Sequence, residues 1–219
     1  MVDEFVRRGY RILGCGRSRD QIETLTTKYP KHDFRMVNVT SDKQVSTWAR
    51  HLLKKYGPPD FVLNNAAILN GKATLWEVGN REFSSEVDTN LKGVANVIRH
   101  FAPAMIDRGC GVIVNFSSRW GSKFEKRMAP YCATKWAVVA LTRVLAEELK
   151  SSGVVVIALN PGIVKTRMLQ QYLGTKTIPR APQYPTPAQW AKVAAPFILG
   201  LRLRDTGKTC RISNPKVAR

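Results

Sequence analysis

The sequence lacks the features that mark membrane, disulfide-rich and zinc-binding proteins. Its four cysteines are scattered, with neither the paired spacing of a zinc site nor the density of a disulfide scaffold. The longest apolar runs, such as 153–159, are far too short to cross a bilayer. We therefore expect reduced thiols, no metal, no membrane partner and a cytoplasmic location, although the sequence leaves open a targeting segment ahead of Met1.

Acidic residues are also scarce, at 16 against 35 basic residues, which gives a formal net charge of +19. Such an excess can serve nucleic acid, an acidic membrane or a polyanionic ligand. It is spread along the whole chain, however, and no basic arm, zinc finger or aromatic RNA-binding signature accompanies it. The charge therefore favours solvated faces and attraction for anionic small molecules over nucleic-acid binding.

Short strand-like and longer helix-like segments alternate along the chain, with no internal repeat or low-complexity linker. Strand-like runs lie at 10–15, 34–39, 60–63, 111–116 and 154–159, and the segments between them carry apolar residues three and four apart. Strands separated by helical crossovers pair in parallel, and strands that are apolar throughout are covered by helices on both faces. The sequence predicts one α/β domain over 1–219 with a doubly wound, Rossmann-like parallel sheet.

Two stretches depart from this alternation. Residues 170–187 are rich in proline, which predicts a long loop with at most short helices, and loops of that length are commonly lids or binding loops. Residues 2–9 have the pattern of the back half of a helix that ends at Gly9. The sequence therefore predicts a chain that begins inside a helix, without the strand that should precede it.

The strongest chemical motif is Tyr131 followed four residues later by Lys135, at the start of a predicted helix over 130–150. Residues four apart share one helical face, so both side chains can project toward one ligand. A free phenol has a pKa near ~10, and a nearby ammonium is expected to lower it toward neutrality. Open α/β sheets bind ligands at the carboxyl ends of their strands. Further polar groups lie at strand ends or on the helices that follow them: Asn65, Asn90, Ser117, Ser118 and Thr166.

This order and spacing resembles the classical short-chain dehydrogenase/reductase family over about 2–212. The resemblance implies hydride transfer between a nicotinamide cofactor and a carbonyl/alcohol substrate. It implies that Tyr131 is the general acid/base, and that Lys135 lowers its pKa and binds the nicotinamide ribose. Ser118 would hold the substrate carbonyl, and Asn90 would support a proton relay through water. Ser117 is displaced by one position and is expected to be only a neighbour.

The cofactor is expected to be NADP(H). Arg17 lies just after the strand-like run at 10–15, where an acidic residue would bind a ribose 2′-hydroxyl and a guanidinium suits a 2′-phosphate. Residues 163–187 are expected to form the substrate loop. The resemblance implies further cofactor contacts from Asn38 and Val39 beside the adenine, Asn65 and Ala66 on the adenosine side, Ile163 and Thr166 at the carboxamide, and Tyr131 and Lys135.

The glycine-rich turn that would hold the pyrophosphate has no counterpart. Gly14 and Gly16 do not supply it, because Arg19 stands where the third glycine belongs. In the family this turn follows a first strand that lies centrally, between the strands that begin near 10 and near 60. Either the two halves of the sheet close directly, or a gap remains, or the chain is truncated at its N-terminus, which we expect.

Two consequences follow from this resemblance. The leading hypothesis is an NADP(H)-dependent oxidoreductase, and the alternative is a non-catalytic, truncated family member that acts as a binding or regulatory subunit. The missing turn is the feature that separates them, since the catalytic residues are all retained. The resemblance also implies a homodimer or homotetramer, in which the helices over 81–108 and 130–150 pair with their counterparts through apolar residues that include Phe101, Trp136, Val139 and Leu145.

Overall fold

The computed structural model describes residues 1–174 and 184–212. The strands are β1 (Leu13–Gly16), β2 (Asp33–Met36), β3 (Phe61–Asn64), β4 (Gly111–Phe116), β5 (Val154–Asn160) and β6 (Thr209–Arg211). The helices are α1 (Val2–Arg7), α2 (Arg19–Lys28), α3 (Asp42–Tyr56), α4 (Asn80–Val87), α5 (Gly93–Arg108), α6 (Ala129–Glu148), α7 (Arg167–Leu173) and α8 (Pro187–Leu199). All five predicted strands are confirmed, and β6 is an addition whose three residues, two of them polar, gave no strand pattern.

The sheet is in two parts. Strand β1 pairs in parallel with β2, and β3, β4, β5 and β6 form a second parallel sheet in that order. Within 1–174 and 184–212, no strand joins β1 to β3, so the predicted absence of a central strand is confirmed and direct closure of the two halves is excluded. Both facing edges line one open cleft of about 1840 Å³.

Helices cover both faces of the sheet, as predicted for a doubly wound fold. On one face, Ile113 of β4 belongs to a buried cluster that includes Trp48 of α3 and Phe101 of α5. On the other face, Val114 belongs to a cluster that includes Ile198 of α8. Because consecutive residues of a strand point to opposite faces, β4 contributes to both cores and fixes the layers around the sheet.

The helix predicted over 81–108 is divided by a wider turn. A π-helical turn over Asp88–Lys92 separates α4 from α5 and contains Asn90. Single π-turns inside helices are frequent at functional sites, because the extra residue changes the direction of a side chain. Here the turn aims Asn90 into the protein, where it is fully buried.

The region predicted as a loop over 170–187 is partly helical. Helix α7 extends into it to Leu173, and α8 begins at Pro187 behind a capping box made by Thr186 and Gln189. Residues 175–183 of the predicted loop lie outside the described residues. Among the helices of the described ranges, none combines the length and apolar character that a transmembrane span needs.

Candidate active site

Two elements bring the catalytic-type residues together. Strand β4 ends at Phe116 and is followed by Ser117 and Ser118, while α6 begins at Ala129 and places Tyr131 in its first turn. Ser118 and Tyr131 line the cleft that the two sheets share, together with Lys135. The carboxyl end of β4 and the N-terminal turn of α6 therefore form one site, as the sequence predicted from strand-end positions.

Lys135 is held at the end of β4. Its side chain is almost fully buried, and Nζ donates a hydrogen bond of 2.8 Å to the Phe116 carbonyl. Nζ lies 5.5 Å from the centroid of the Tyr131 ring. Burial lowers the pKa of Lys135 to about 8, while the nearby Glu86 carboxylate acts in the opposite direction. The ammonium is therefore positioned beside the phenol but tied to a backbone oxygen.

The pKa of Tyr131 differs from the expectation. Burial raises it to about 12, and a hydrogen bond with the Ser118 side chain offsets this only in part. The Lys135 ammonium was expected to lower this pKa, but burial determines it, and Lys135 Nζ donates instead to the Phe116 carbonyl. The Tyr131 hydroxyl contacts Met168 Sδ at 3.8 Å, so α7 reaches directly over the proposed proton donor.

The two serines have different surroundings. Ser118 Oγ accepts a 3.3 Å hydrogen bond from the Trp120 amide and caps the short turn Arg119–Gly121. Ser117 is buried, and its Oγ donates to the Lys135 carbonyl at 3.2 Å, behind the site. A Cβ at Gly121 would lie 2.3 Å from Ser117 Oγ, so this packing requires glycine. Ser118 is thus the serine beside the phenol, as predicted, and Ser117 is a structural neighbour.

Asn90 connects three parts of the site. Its Oδ1 accepts from the Ile68 amide at 2.7 Å, and its Nδ2 donates to the Ile68 carbonyl at 2.9 Å and to Thr134 Oγ1 at 3.2 Å. Every polar atom of this side chain is therefore used to join the segment after β3 to α6. Through Thr134, Asn90 is connected to the helix that carries Tyr131 and Lys135. Its amide group is engaged in holding this helix and the backbone of Ile68 in place.

Glu86 is a site residue that the sequence reasoning missed. It is 2% exposed, and Oε1 accepts from the Asn70 amide at 2.7 Å, while the buried Oε2 has no hydrogen-bond partner among the described residues. Burial raises its pKa, and its charge raises the pKa values of Tyr131 and Lys135. No local signal in the sequence marks it, because glutamates on helices are mostly exposed.

The predicted cofactor contacts line the cleft, with one exception. Arg17 is exposed just after β1 at the rim, and Val39, Asn65, Ala66, Ile163 and Thr166 line the cleft with Tyr131 and Lys135. Asn38 does not line it. Its Oδ1 accepts from the Thr40 amide at 3.2 Å, so the side chain closes its own turn. The adenine contact of Asn38 stays a prediction, made by a side chain whose Oδ1 is engaged in its own turn.

One end of the cleft is aromatic. The Trp120 ring packs edge-on against Tyr131, with 6.1 Å between centroids, and lies 4.8 Å from the Tyr172 ring. Lys72 Nζ lies 3.7 Å from the centroid of the Tyr172 ring, which attaches α7 to the loop after β3. Trp120 was missed from sequence because a tryptophan in a loop is as consistent with core packing as with ligand contact.

Comparison with known proteins agrees with this geometry. A family model described as short chain dehydrogenase matches residues 1–176. An NADPH-dependent pterin aldehyde reductase of Arabidopsis thaliana is 40% identical over 207 residues, which are 93% of this chain and 84% of that protein. ElxO with bound NADP has a TM-score of 0.85 at 26% identity and covers 96% of this chain and 90% of its own. A variant actinorhodin polyketide ketoreductase with NADPH has a TM-score of 0.85 at 26% identity, with 96% and 89% covered.

Proposed function

Because the chain belongs to the short-chain dehydrogenase family, we propose that it is an NADP(H)-dependent oxidoreductase that interconverts a carbonyl and an alcohol. The observation that carries the proposal is that Ser118, Tyr131 and Lys135 all line one end of the cleft. The NADP(H)-linked relatives support the choice of cofactor.

The protonation states of Tyr131 and Lys135 at neutral pH suit the reduction of a carbonyl to an alcohol. A phenol whose pKa is raised to about 12 keeps its proton at neutral pH, so Tyr131 is in the form that donates. Lys135, with its pKa lowered to about 8, keeps most of its positive charge at neutral pH and stabilises the phenolate left after donation. Ser118 holds the carbonyl oxygen within reach of the phenol. The bound nicotinamide supplies the hydride.

The cleft also favours a class of substrate. Trp120 lies next to Tyr131, Tyr172 lies next to Trp120, and both residues line the cleft. Aromatic rings bind flat, partly apolar groups by stacking. The substrate is therefore a carbonyl compound that carries a planar aromatic group. The pterin aldehyde reductase among the relatives supports this class, because its named substrate is such a compound.

Arg17 determines the choice between the two nicotinamide cofactors in this proposal. It is exposed, and no carboxylate lies within 4 Å of its guanidinium in the part of the chain that the structure describes, so the charge is available for a 2′-phosphate. Arg17→Asp is expected to shift the ratio of kcat/KM for NADPH over NADH toward NADH by at least about a hundredfold, because a charge-assisted contact is replaced by repulsion.

Kinetics with both cofactors measure this ratio. Arg50→Asp is the matched control, since it makes the same charge change on an exposed site of α3 that does not line the cleft. An unchanged ratio in Arg17→Asp would show that another residue selects the cofactor.

The non-catalytic alternative has one observation in its favour. Strands β1 and β3 are separated in the described ranges, so the region that should hold the pyrophosphate is open. The alternative predicts that NADPH-dependent turnover is absent even at saturating cofactor, whereas the proposed oxidoreductase turns over. The single-domain organisation over 1–219, the substrate loop over 163–187 and the cytoplasmic location also stay predictions.

We further propose a homo-oligomer in which α5 and α6 pair with their counterparts in a second copy. Trp136 and Val144 of α6 and Ile106 of α5 are large apolar side chains that are 41%, 57% and 42% exposed. Phe101 and Val139, which the sequence also suggested for this surface, are instead buried in the core.

Light scattering on the protein at tens of micromolar is expected to give at least the mass of a dimer. Val144→Glu should lower that mass to a monomer, because a charge at the pairing surface is desolvated without a partner. Leu75→Glu is the control, since Leu75 is 55% exposed in the loop before α4. A wild-type monomer, or a dimer unaffected by Val144→Glu, would contradict this assembly.

A further inference from the structure

Two buried side chains, one helical turn apart, hold the loop that follows β3. Asn90 bonds both backbone groups of Ile68, through its Oδ1 and its Nδ2. Glu86, four residues earlier at the end of α4, accepts from the Asn70 amide through Oε1 at 2.7 Å. Leu69 lies between these two attachment points, so its backbone is held on both sides.

Leu69 packs against the segment that carries the proposed proton donor. Its side chain is 6% exposed and belongs to a small buried cluster with Met128, Tyr131 and Cys132. These three residues come from the first turn of α6 and the position just before it. Within this cluster Leu69 is therefore the buried residue that reaches the first turn of α6 from another part of the chain.

Glu86 is an unfavourable residue for a position that only packs a helix. It is almost fully buried, and its Oε2 has no hydrogen-bond partner within 1–174 and 184–212. Desolvating a carboxylate destabilises a fold unless its hydrogen bonds compensate, and an apolar side chain of similar volume would avoid that loss. The hydrogen bond that Glu86 accepts from the Asn70 amide is charge-assisted, and bonds of this kind are shorter and stronger than neutral ones. The contact with the loop is thus what distinguishes Glu86 from a leucine here.

We propose that Glu86 is a positioning residue for the reaction. By holding the Asn70 amide it keeps Leu69 against the first turn of α6, and this contact fixes the phenol of Tyr131 relative to the substrate carbonyl. The inference rests on the proposed function, because it assumes that Tyr131 donates the proton. A misplacement of about 1 Å far from the reacting atoms can lower a rate about a hundredfold, so a contact behind the phenol can control turnover.

Two substitutions of Glu86 separate this role from simple packing. Glu86→Leu keeps the approximate volume but removes the acceptor. It is expected to lower kcat for reduction of 2-amino-4-oxopteridine-6-carbaldehyde about tenfold and to change KM for NADPH less than about twofold, because the phenol moves while the cofactor contacts remain. Glu86→Gln retains an oxygen that can accept from the Asn70 amide, so its kcat is expected to stay within about threefold of the wild-type value.

Glu148→Leu and Glu148→Gln are the matched controls, because they make the same changes at an exposed position of α6. Both are expected to keep the wild-type kcat. Thermal melts of all four variants show whether any loss of kcat is accompanied by a loss of stability.

The thiol of Cys132 reports the position of the loop without turnover. Cys132 is buried in the cluster that contains Leu69, whereas Cys110 is exposed and serves as an internal control. Glu86→Leu and Leu69→Ala are each expected to raise the rate of Cys132 alkylation by iodoacetamide about tenfold, measured by mass spectrometry, through local opening of the cluster. The double variant should react no faster than Glu86→Leu, because both changes break the same contact.

The outcomes distinguish the inference from the proposed function. If the wild-type chain reduces the aldehyde and Glu86→Leu melts at a lower temperature with its kcat unchanged, Glu86 serves stability alone and the inference is wrong, while the proposed function stands. An unchanged rate of Cys132 alkylation in Glu86→Leu, or a kcat in Glu86→Gln as low as in Glu86→Leu, would also overturn the inference. If the wild-type chain does not reduce the aldehyde, the proposed function fails and the inference fails with it.

Discussion

Tyr131→Phe is expected to lower the rate of carbonyl reduction at least a thousandfold at a concentration of NADPH that saturates the wild-type chain. The change removes one oxygen atom and with it the proton that the carbonyl oxygen must receive, and positioned general acids contribute roughly 10²–10⁴-fold to such reactions. The lower end of that range is exceeded because the site is buried, so water does not readily replace the donor.

The fold should not respond to this change. Beyond Ser118, the Tyr131 hydroxyl contacts only Met168 Sδ among the residues that the structure describes, and the ring stays packed against Trp120. The thermal melt of Tyr131→Phe is therefore expected to match that of the wild-type chain. Tyr29→Phe is the control, since its hydroxyl bonds Asp3 on the surface. Turnover by Tyr131→Phe within tenfold of the wild-type chain would remove Tyr131 from the proposed role.

The second large effect concerns the space between the two sheets. The edges Leu13–Gly16 and Phe61–Asn64 flank the cleft, and each strand is paired on its other side only. A segment of five apolar residues followed by a glycine-rich turn, fused ahead of Met1, is expected to enter this space as a parallel strand. Met1 lines the same cleft, so a short connection reaches it.

Such a strand would give partners to backbone groups on both edges, and the turn would present amides and a helix N-terminus to the cofactor pyrophosphate. With charge-assisted hydrogen bonds at ~1.5–3 kcal/mol each, two or more of them tighten NADPH binding at least a hundredfold. Calorimetric titration and a thermal melt measure the two effects, and a glycine-serine segment of equal length is the control. A fused strand that matches this control in both Kd and melting temperature would show that the space does not accept a strand.

Much of the fold follows from local patterns in the sequence. The apolar run of β4 predicted a buried strand, and the polar residues that follow it predicted a ligand site at the end of that strand. Both predictions depend only on residues that are neighbours in the sequence. The unpaired position between β1 and β3 also followed from the pattern, since 2–9 has the signature of a helix without a preceding strand. The short edge strand β6 did not follow from the pattern, because three residues are too few to show a periodicity.

The sequence predicted the site less well where contacts between distant elements determine the surroundings of a side chain. The sequence placed Tyr131 and Lys135 on one helical face, but the carbonyl of Phe116 that ties up Lys135 comes from another element. Burial that raises the pKa of Tyr131 also depends on the assembled fold. Glu86 was missed because a glutamate on a helix gives no sign of burial. The hydrogen bond that Asn38 accepts within its own turn was also not foreseen, because it depends on the local backbone conformation.

The central claim is that this chain transfers hydride from NADPH to a carbonyl while Tyr131 supplies the proton. The most direct measurement uses NADPH that carries deuterium in both positions on its hydride-donating carbon, with 2-amino-4-oxopteridine-6-carbaldehyde as substrate and mass spectrometry of the alcohol formed. The account predicts an alcohol that carries one deuterium on carbon with the wild-type chain, and at least a thousandfold less of it in the same time with Tyr131→Phe. An alcohol without the label, or no alcohol from the wild-type chain at saturating NADPH, would contradict it.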